Sequence, residues 1–204
     1  MGLFSGQMSY VRYQIENTIS GNIKTTALER LKEFSFKEID TASLREKSMG
    51  WVSAENMASV FFDDMHYAKG PYLVFALRID IRRVPPLTMK AAFLREEIKY
   101  KEATGKEKLF KKDKDMLREE VWQALIKKAL PAPSVYDVCW NTSTGEIIFF
   151  STSKTANDEF VSLFSRSFEA KLNPRVPEVL AGAAIQKKKL DVTIENLSLA
   201  FTDE

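Results

Sequence analysis

The chain has 204 residues, of which 45% are hydrophobic and 28% are charged. These fractions are typical of a folded globular protein and exclude global disorder. The 30 Lys and Arg residues exceed the 28 Asp and Glu residues by only two. Any affinity for nucleic acid must therefore depend on where the cations lie, since their sum is small.

The sequence contains few residues of the types that bind metal ions, and its apolar runs are short. Cys139 is the only cysteine, which excludes an intrachain disulfide and is typical of a protein of the reducing cytoplasm, and His66 is the only histidine. No apolar run approaches the roughly 20 residues that span a bilayer. The sequence also lacks a signal-peptide pattern at its start. We therefore expect a cytoplasmic protein with no metal or other cofactor and no membrane association.

Apolar residues recur with the period of a strand or of a helix along most of the chain. In chain order, the pattern predicts a strand over 9–16, a helix over 25–36, a strand over 72–84, helices over 89–100 and 115–129, strands over 134–140 and 146–150, and a helix over 158–168. Between the first helix and the long strand, Gly50 precedes Trp51, which indicates a tight bend beside a large apolar anchor. The fold class we predict is α+β.

The two central helices follow the pair Pro85-Pro86 and end before Pro131. Because proline interrupts strands and helix interiors, this spacing predicts a helical hairpin inserted between strands. We expect a mixed or antiparallel sheet with packed helices and the hairpin as a tip. The predicted regions are an N-terminal α+β region over 1–86, the hairpin tip over 87–132, and a C-terminal α+β region over 133–204 that packs with the first.

Short segments occur in a characteristic order over residues 2–168. They are Gly2-Leu-Phe, Tyr10-Val-Arg12-Tyr, Met49-Gly50-Trp51-Val52, the basic strand ending at Pro85, Phe93-Leu-Arg-Glu-Glu-Ile98, Gly105-Lys106, Lys114-Asp-Met-Leu-Arg-Glu-Glu-Val121, Leu130-Pro131, Val138-Cys-Trp140, Gly145-Glu-Ile-Ile148, and 153–156 before the helix over 160–168. Each segment is short, and their collinear order is what is informative. In this order they resemble the RdgC family of recombination-associated DNA-binding proteins.

The resemblance implies a nucleoid-associated homodimer that binds DNA with little sequence preference and limits the action of RecA. It also implies a ring that encloses the duplex, with the helical tip contacting the partner subunit. Family members usually extend further at the carboxy-terminal end, and residues 169–204 show no match to them. The function we expect is sequence-independent binding of mainly double-stranded DNA. The alternative is a protein-interaction module on the same scaffold that has no affinity for DNA.

Non-specific duplex binding requires cations along a surface, because each neutralised phosphate releases counterions. Arg78 and Arg82 share one predicted face of the long strand, Arg83 follows them, and Arg12 lies on the first strand. We predict that these four arginines contact phosphates on a solvent-exposed face. The alternative is an ordinary solvated face on which Asp80 pairs with a neighbouring arginine.

Two lysine clusters are further candidates for phosphate contact. Lys187 and Lys188 precede a third lysine, and we include both among the predicted DNA-binding residues, the alternative being a role in solubility. The lysines of 106–114 alternate with acidic residues, which favours a solvated surface. Within that charged stretch, the apolar pair Leu109-Phe110 predicts a dimer contact with a symmetry-related tip, unless the pair folds back onto the hairpin.

An enzymatic role has little support in the sequence. The RdgC family has been loosely described as exonucleases, and a metal site could be imagined at Asp63, Asp64 and His66. Adjacent residues of a strand point to opposite faces, however, so a turn explains the two aspartates better. No P-loop, Gly-x-Ser-x-Gly or HExxH motif occurs. We expect no catalytic activity, and we interpret Trp51, Trp140 and Cys139 as core residues.

Overall fold

The computed structural model describes residues 3, 8–16, 23–62, 67–175 and 181. Within these residues the fold is α+β, as predicted, with an antiparallel sheet of seven strands and four helices. The strands are β1 (Val11–Ile15), β2 (Lys47–Val52), β3 (Ala68–Lys69), β4 (Tyr72–Ile81), β5 (Ala132–Asn141), β6 (Glu146–Phe149) and β7 (Leu172–Pro174). The helices are α1 (Ile23–Glu33), α2 (Pro86–Thr104), α3 (Lys111–Lys128) and α4 (Lys154–Phe168).

The order of strands in the sheet is β2-β4-β5-β6-β1-β7, and β3 pairs with β4. The strand β1 therefore lies between two strands from the last third of the described chain. Its register sets Arg12 opposite Ile148 and Gln14 opposite Glu146 on β6. On its other side, Gln14 lies opposite Asn173 of β7. This arrangement joins the two ends of the described chain at one edge of the sheet.

The chain divides into two compact units. The first unit is formed from Met1–Phe34, Trp51–Leu77 and Tyr136–Glu204, and the second from Ser35–Gly50 and Arg78–Val135. The second unit thus contains the helical hairpin together with the segment that precedes and enters β2. Each unit brings together residues that are distant in sequence, so neither is one continuous stretch of chain.

An aromatic cluster forms the core of the first unit. The ring of Trp51 lies edge-on to that of Phe75 at 5.1 Å, and its Nε1 donates a hydrogen bond to Ser167 Oγ at 2.9 Å. The rings of Phe149 and Phe160 stack at 4.3 Å. Because α4 supplies Phe160 and Ser167 from one face, the helix is fixed against the sheet by both apolar and polar contacts.

Gly50 does not form the tight bend that the sequence suggests. It lies inside β2, where a Cβ atom would come within 2.4 Å of the Cα atom of Phe36. The small side chain is therefore required by a close approach of two backbone segments in the second unit. A strand glycine commonly marks such a contact.

The helical hairpin predicted between the strands is confirmed. Pro86 begins α2, where a missing amide hydrogen costs nothing, and Gly105 ends it in the left-handed conformation at φ 67°. The helix α3 buries Leu117, Val121 and Ile126, whereas none of the 19 residues of α2 is buried. Both helices are longer than their apolar patterns predicted. Among the described helices, none has the length and apolar character needed to cross a membrane.

Candidate nucleic-acid interface

The predicted basic face of β4 is not exposed to solvent. The side chain of Arg78 is mostly buried, and its Nε and Nη2 donate to the two carboxylate oxygens of Asp80, each at 2.8 Å. The guanidinium carbon also lies 4.3 Å from the centre of the Phe36 ring. The hydrogen bond to Asp80 is the main cause of the raised pKa of Arg78. Asp80 pairs with Arg78, as the alternative expected, but both side chains are largely buried and do not lie on the solvated face that it assumed.

Arg82 is a structural residue in the second unit. Its side chain is only 1% exposed, and its guanidinium donates to the carbonyl oxygens of Ser43, Ile39 and Asp40. The expectation that Arg82 lies on a wet strand face is therefore wrong. The alternating pattern misled because Arg82 directly follows β4 and residues 39–43 of the same unit hold its guanidinium. A buried guanidinium has no surface to present to a phosphate, so we do not retain Arg82 as a DNA contact.

Arg83 is exposed beyond the end of β4, as the sequence suggests. Within the described part of the chain, no carboxylate lies within salt-bridge distance of it, so its charge is open to an anion. Its contact with phosphate stays a prediction. Lys187 and Lys188 fall outside the described residues, as do Asp63, Asp64 and His66.

Two arginines of the first unit meet at one carboxylate. Arg12 lies on β1, and Arg175 directly follows β7, where its amide donates to the carbonyl oxygen of Arg12 at 2.7 Å. A guanidinium nitrogen of each arginine lies 3.6 Å from Oε1 of Glu146 on β6. The side chains of Arg12 and Arg175 remain 48% and 37% exposed. We call these two residues the arginine pair.

Within the described residues, the arginine pair carries an uncompensated charge. Two cations face one carboxylate, which leaves a surplus of one positive charge at Glu146. At 3.6 Å neither contact is a hydrogen bond, and neither guanidinium donates to any other described residue. Their N–H groups are therefore available to an incoming oxyanion, for which the planar arginine fork is well suited.

The register places the arginine pair on the sheet face opposite α4. Residues directly opposite each other in an antiparallel pair share a face, and successive residues alternate between faces. Tyr13 lies opposite Ile147, and its ring packs 5.6 Å from that of Phe160 on α4. Arg12 and Glu146, each next to one of these residues, therefore point away from the helix.

A third cation beside the arginine pair is already neutralised. Lys171 Nζ lies 3.0 Å from Glu16 Oε2, and Asn173 also donates to this carboxylate. The hydrogen bond from Lys171 is the main cause of the lowered pKa of Glu16. This exposed pair orders the edge of the sheet but adds nothing to its net charge. The surplus charge of this edge therefore comes from the arginine pair.

Arg175 was not among the predicted DNA-binding residues. The sequence shows no strand pattern over 172–174, since β7 has only three residues and contains Pro174. A single signal was available, namely that Asn173-Pro174-Arg175 follows a helix and resembles a turn into an extended segment. That signal gives no reason to place Arg175 beside Arg12.

The apolar pair at the tip is divided between core and solvent. Leu109 is buried at 9% exposure, so its half of the pair folds back onto the hairpin, contrary to the expectation that both residues face a partner. Phe110 is 74% exposed. Its backbone amide donates to Asp113 Oδ2 at 3.2 Å, which fixes the turn that begins α3. The same Asp113 pairs with Lys106, within a lysine-rich stretch that is otherwise exposed.

The other residues considered for base stacking or catalysis lie in packed surroundings. Trp51 and Trp140 are buried in the core, as predicted. Cys139 is half-buried, and burial raises the pKa of its thiol, which makes it a poor nucleophile at neutral pH. In the described ranges, no group of three or more His, Cys, Asp and Glu side chains is arranged to hold a metal ion.

Comparison with known proteins places this fold in a family. The family model described as "Putative exonuclease, RdgC" matches residues 9–181. The expectation that residues 169–204 show no match to the family is therefore wrong for 169–181. The match includes all the described strands and helices, and with them the arginine pair and the helical tip. No curated protein matches the chain. Because the matched segment covers most of the 204 residues, the chain belongs to the RdgC family.

Proposed function

We propose that this protein binds double-stranded DNA with little sequence preference and thereby limits the access of RecA. The observation that carries the proposal is the arginine pair, in which two half-exposed guanidinium groups share one carboxylate. Phosphates are the ligand that such a surplus of planar cations favours, and contacts to phosphates carry no sequence information. Membership of the RdgC family supports the same function.

A substitution at Glu146 tests whether the charge of the arginine pair acts on DNA. Glu146→Gln keeps the size of the side chain but removes the negative charge shared by the arginine pair. We expect tighter binding of a duplex oligonucleotide, by about tenfold, because both arginines then act on the phosphates without internal competition. Fluorescence anisotropy at low salt measures the affinity. Unchanged or weaker binding would show that the pair does not face DNA.

We also propose that the protein is a homodimer held in part by Phe110. Helix α2 buries none of its residues, and it leaves Leu94 and Ile98, one turn apart, exposed on the same hairpin that exposes Phe110. An apolar surface of this kind fits a second copy of the chain, since an isologous contact uses the same surface twice.

Phe110→Ala is expected to shift the mass in solution from dimer toward monomer. Each subunit loses one anchor, so the substitution acts twice on a symmetric interface and raises the dimer dissociation constant at least tenfold. Sedimentation equilibrium measures the change. Phe61→Ala is the matched control, because Phe61 is similarly exposed in the first unit. A dimer that is unaffected by Phe110→Ala removes Phe110 from the interface.

The binding we propose is not followed by cleavage. The metal site that could be imagined from the sequence, at Asp63, Asp64 and His66, lies outside the residues that the structure describes. Incubation of a labelled duplex with Mg²⁺ tests this point. Metal-dependent cleavage that is lost in Asp63→Ala would assign a nuclease activity to the chain and overturn this part of the proposal.

The second candidate function is a protein-interaction module without affinity for DNA. It is favoured by the burial of Arg78 and Arg82, which removes half of the four arginines that the sequence assigned to phosphate contact. Under this alternative, the apolar hairpin is the functional surface, and the protein shows no binding to duplex DNA at low salt.

A further inference from the structure

A cleft in the second unit combines apolar walls with two arginines. It has a volume of about 610 Å³ and lies where β4 leads into α2. Its walls include Met89 on α2 and Trp122 and Ile126 on α3. Arg82 and Arg83 also line it. This volume falls within the range of sites that hold a drug-sized ligand or a few peptide side chains. We call it the Arg82 cleft.

Arg82 is a buried cation with no counter-charge in the part of the chain that the structure describes. Its Nη1 and Nη2 donate to three backbone carbonyl oxygens, while its buried Nε has no hydrogen-bond partner in the same part of the chain. Among the described residues, no carboxylate lies within 4 Å of this guanidinium. Burying an unpaired charge is costly, and buried cations are normally matched by an anion. These backbone contacts hold Arg82 in the wall of the cleft, where its charge favours an anionic ligand, and the exposed guanidinium that an anion can contact is that of Arg83.

The charge of the cleft favours the same kind of ligand. Arg83 adds a second guanidinium that is exposed, and Glu46 is the one carboxylate among the lining residues. Two cations against one anion leave a surplus of one positive charge beside apolar walls. A ligand that matches this surface carries a carboxylate next to a large apolar group.

The surface around the cleft favours a peptide over a small organic acid. Leu87 follows the lining residue Pro86 and is 81% exposed. A small acid would leave this side chain in water, whereas a peptide that extends past the cleft could cover it. We propose that the Arg82 cleft binds a segment of a partner protein in which a carboxylate neighbours a large apolar side chain. This site is separate from the arginine pair and goes beyond DNA binding.

Trp122 provides a direct readout in the full-length protein. Trp51 and Trp140 are fully buried in the first unit, whereas Trp122 is half-buried in the cleft. The probe is the acetylated peptide Asp-Leu-Phe-Asp, and its uncharged counterpart is Asn-Leu-Phe-Asn with an amidated end. We expect the acidic peptide to change the tryptophan fluorescence in a saturable way, and we expect Trp122→Phe to abolish that change.

Charge reversal identifies the cation that recognises the peptide. Arg83→Glu is expected to weaken binding of the acidic peptide by at least about tenfold, the range of a hydrogen bond to a charged group. Arg95→Glu is the matched control, since Arg95 is exposed on α2 and does not line the cleft. Arg83 is used for the test because Arg82 donates hydrogen bonds to three backbone carbonyl oxygens, so replacing Arg82 could unfold the second unit.

Several results would overturn the proposal. Equal binding of the acidic and the uncharged peptides would show that no cation is involved. An unchanged affinity in Arg83→Glu would have the same meaning. Binding of free 3-phenylpropionate without binding of the peptide would assign the cleft to a small acid. Displacement of the bound peptide by duplex DNA would assign Arg83 to the DNA surface instead.

Discussion

Reversing both charges of the arginine pair, in Arg12→Glu/Arg175→Glu, is expected to weaken duplex binding by about a hundredfold or more at low salt. Each arginine supplies a charge-assisted contact worth roughly tenfold or more in affinity, and the introduced carboxylates repel phosphates. The loss should be the same for duplexes of different sequence, because the contacts are to the backbone. The limit on RecA that we propose should be lost in parallel, which a RecA strand-exchange assay measures.

A matched double variant separates this effect from a change in net charge. Lys32→Glu/Lys154→Glu alters the charge by the same amount, with both positions exposed on α1 and α4, the helices that pack together in the first unit. Because the arginine pair points away from α4, the control variant should bind DNA nearly as well as the original protein. Equal losses in the two double variants would show that only net charge matters.

Gly50→Ala is expected to lower the free energy of unfolding by about 3 kcal/mol or more, the upper end of the cost of overpacking. The added Cβ would lie 2.4 Å from Phe36 Cα and 2.5 Å from Phe36 N. Both contacts are with backbone atoms, so no side-chain rotation can relieve them. For a chain of this size, the midpoint of thermal unfolding should fall by about 10 °C.

Gly105→Ala distinguishes this steric effect from the general cost of replacing glycine. Gly105 has a positive φ of 67°, but a Cβ there would meet nothing within 4 Å. Its replacement should cost only about 1 kcal/mol, the strain of a non-glycine residue in the left-handed region. Calorimetry of both variants measures the difference. Similar losses at the two positions would contradict the close contact at Gly50.

The α+β class and the helical hairpin could be predicted from local patterns. Pro86 and Gly105 mark the ends of α2, and apolar periodicity marks α3. These signals depend only on residues close together in sequence, so they predict the helices without knowledge of how the rest of the chain folds. The close backbone contact at Gly50 could not be predicted in this way, because its partner is Phe36, fourteen positions earlier in the chain.

The candidate site depended on contacts that local patterns do not contain. The alternation over 72–84 predicts one solvent-exposed face, but Arg82 directly follows β4 and donates to backbone carbonyl oxygens within residues 39–43. Conversely, Arg12 and Arg175 are 163 positions apart and come together only because β7 pairs with β1. Of the four predicted arginines, Arg12 and Arg83 remain exposed, whereas Arg78 and Arg82 are taken up by internal contacts.

We propose that the arginine pair binds DNA phosphates, and the salt dependence of duplex affinity tests this claim most directly. The logarithm of the association constant should fall linearly with the logarithm of salt concentration, by about 0.9 for each phosphate contacted. In Arg12→Glu/Arg175→Glu the slope should be shallower by about 2, one for each lost contact. Absent binding at low salt, binding insensitive to salt, or the same slope in both proteins would contradict the claim.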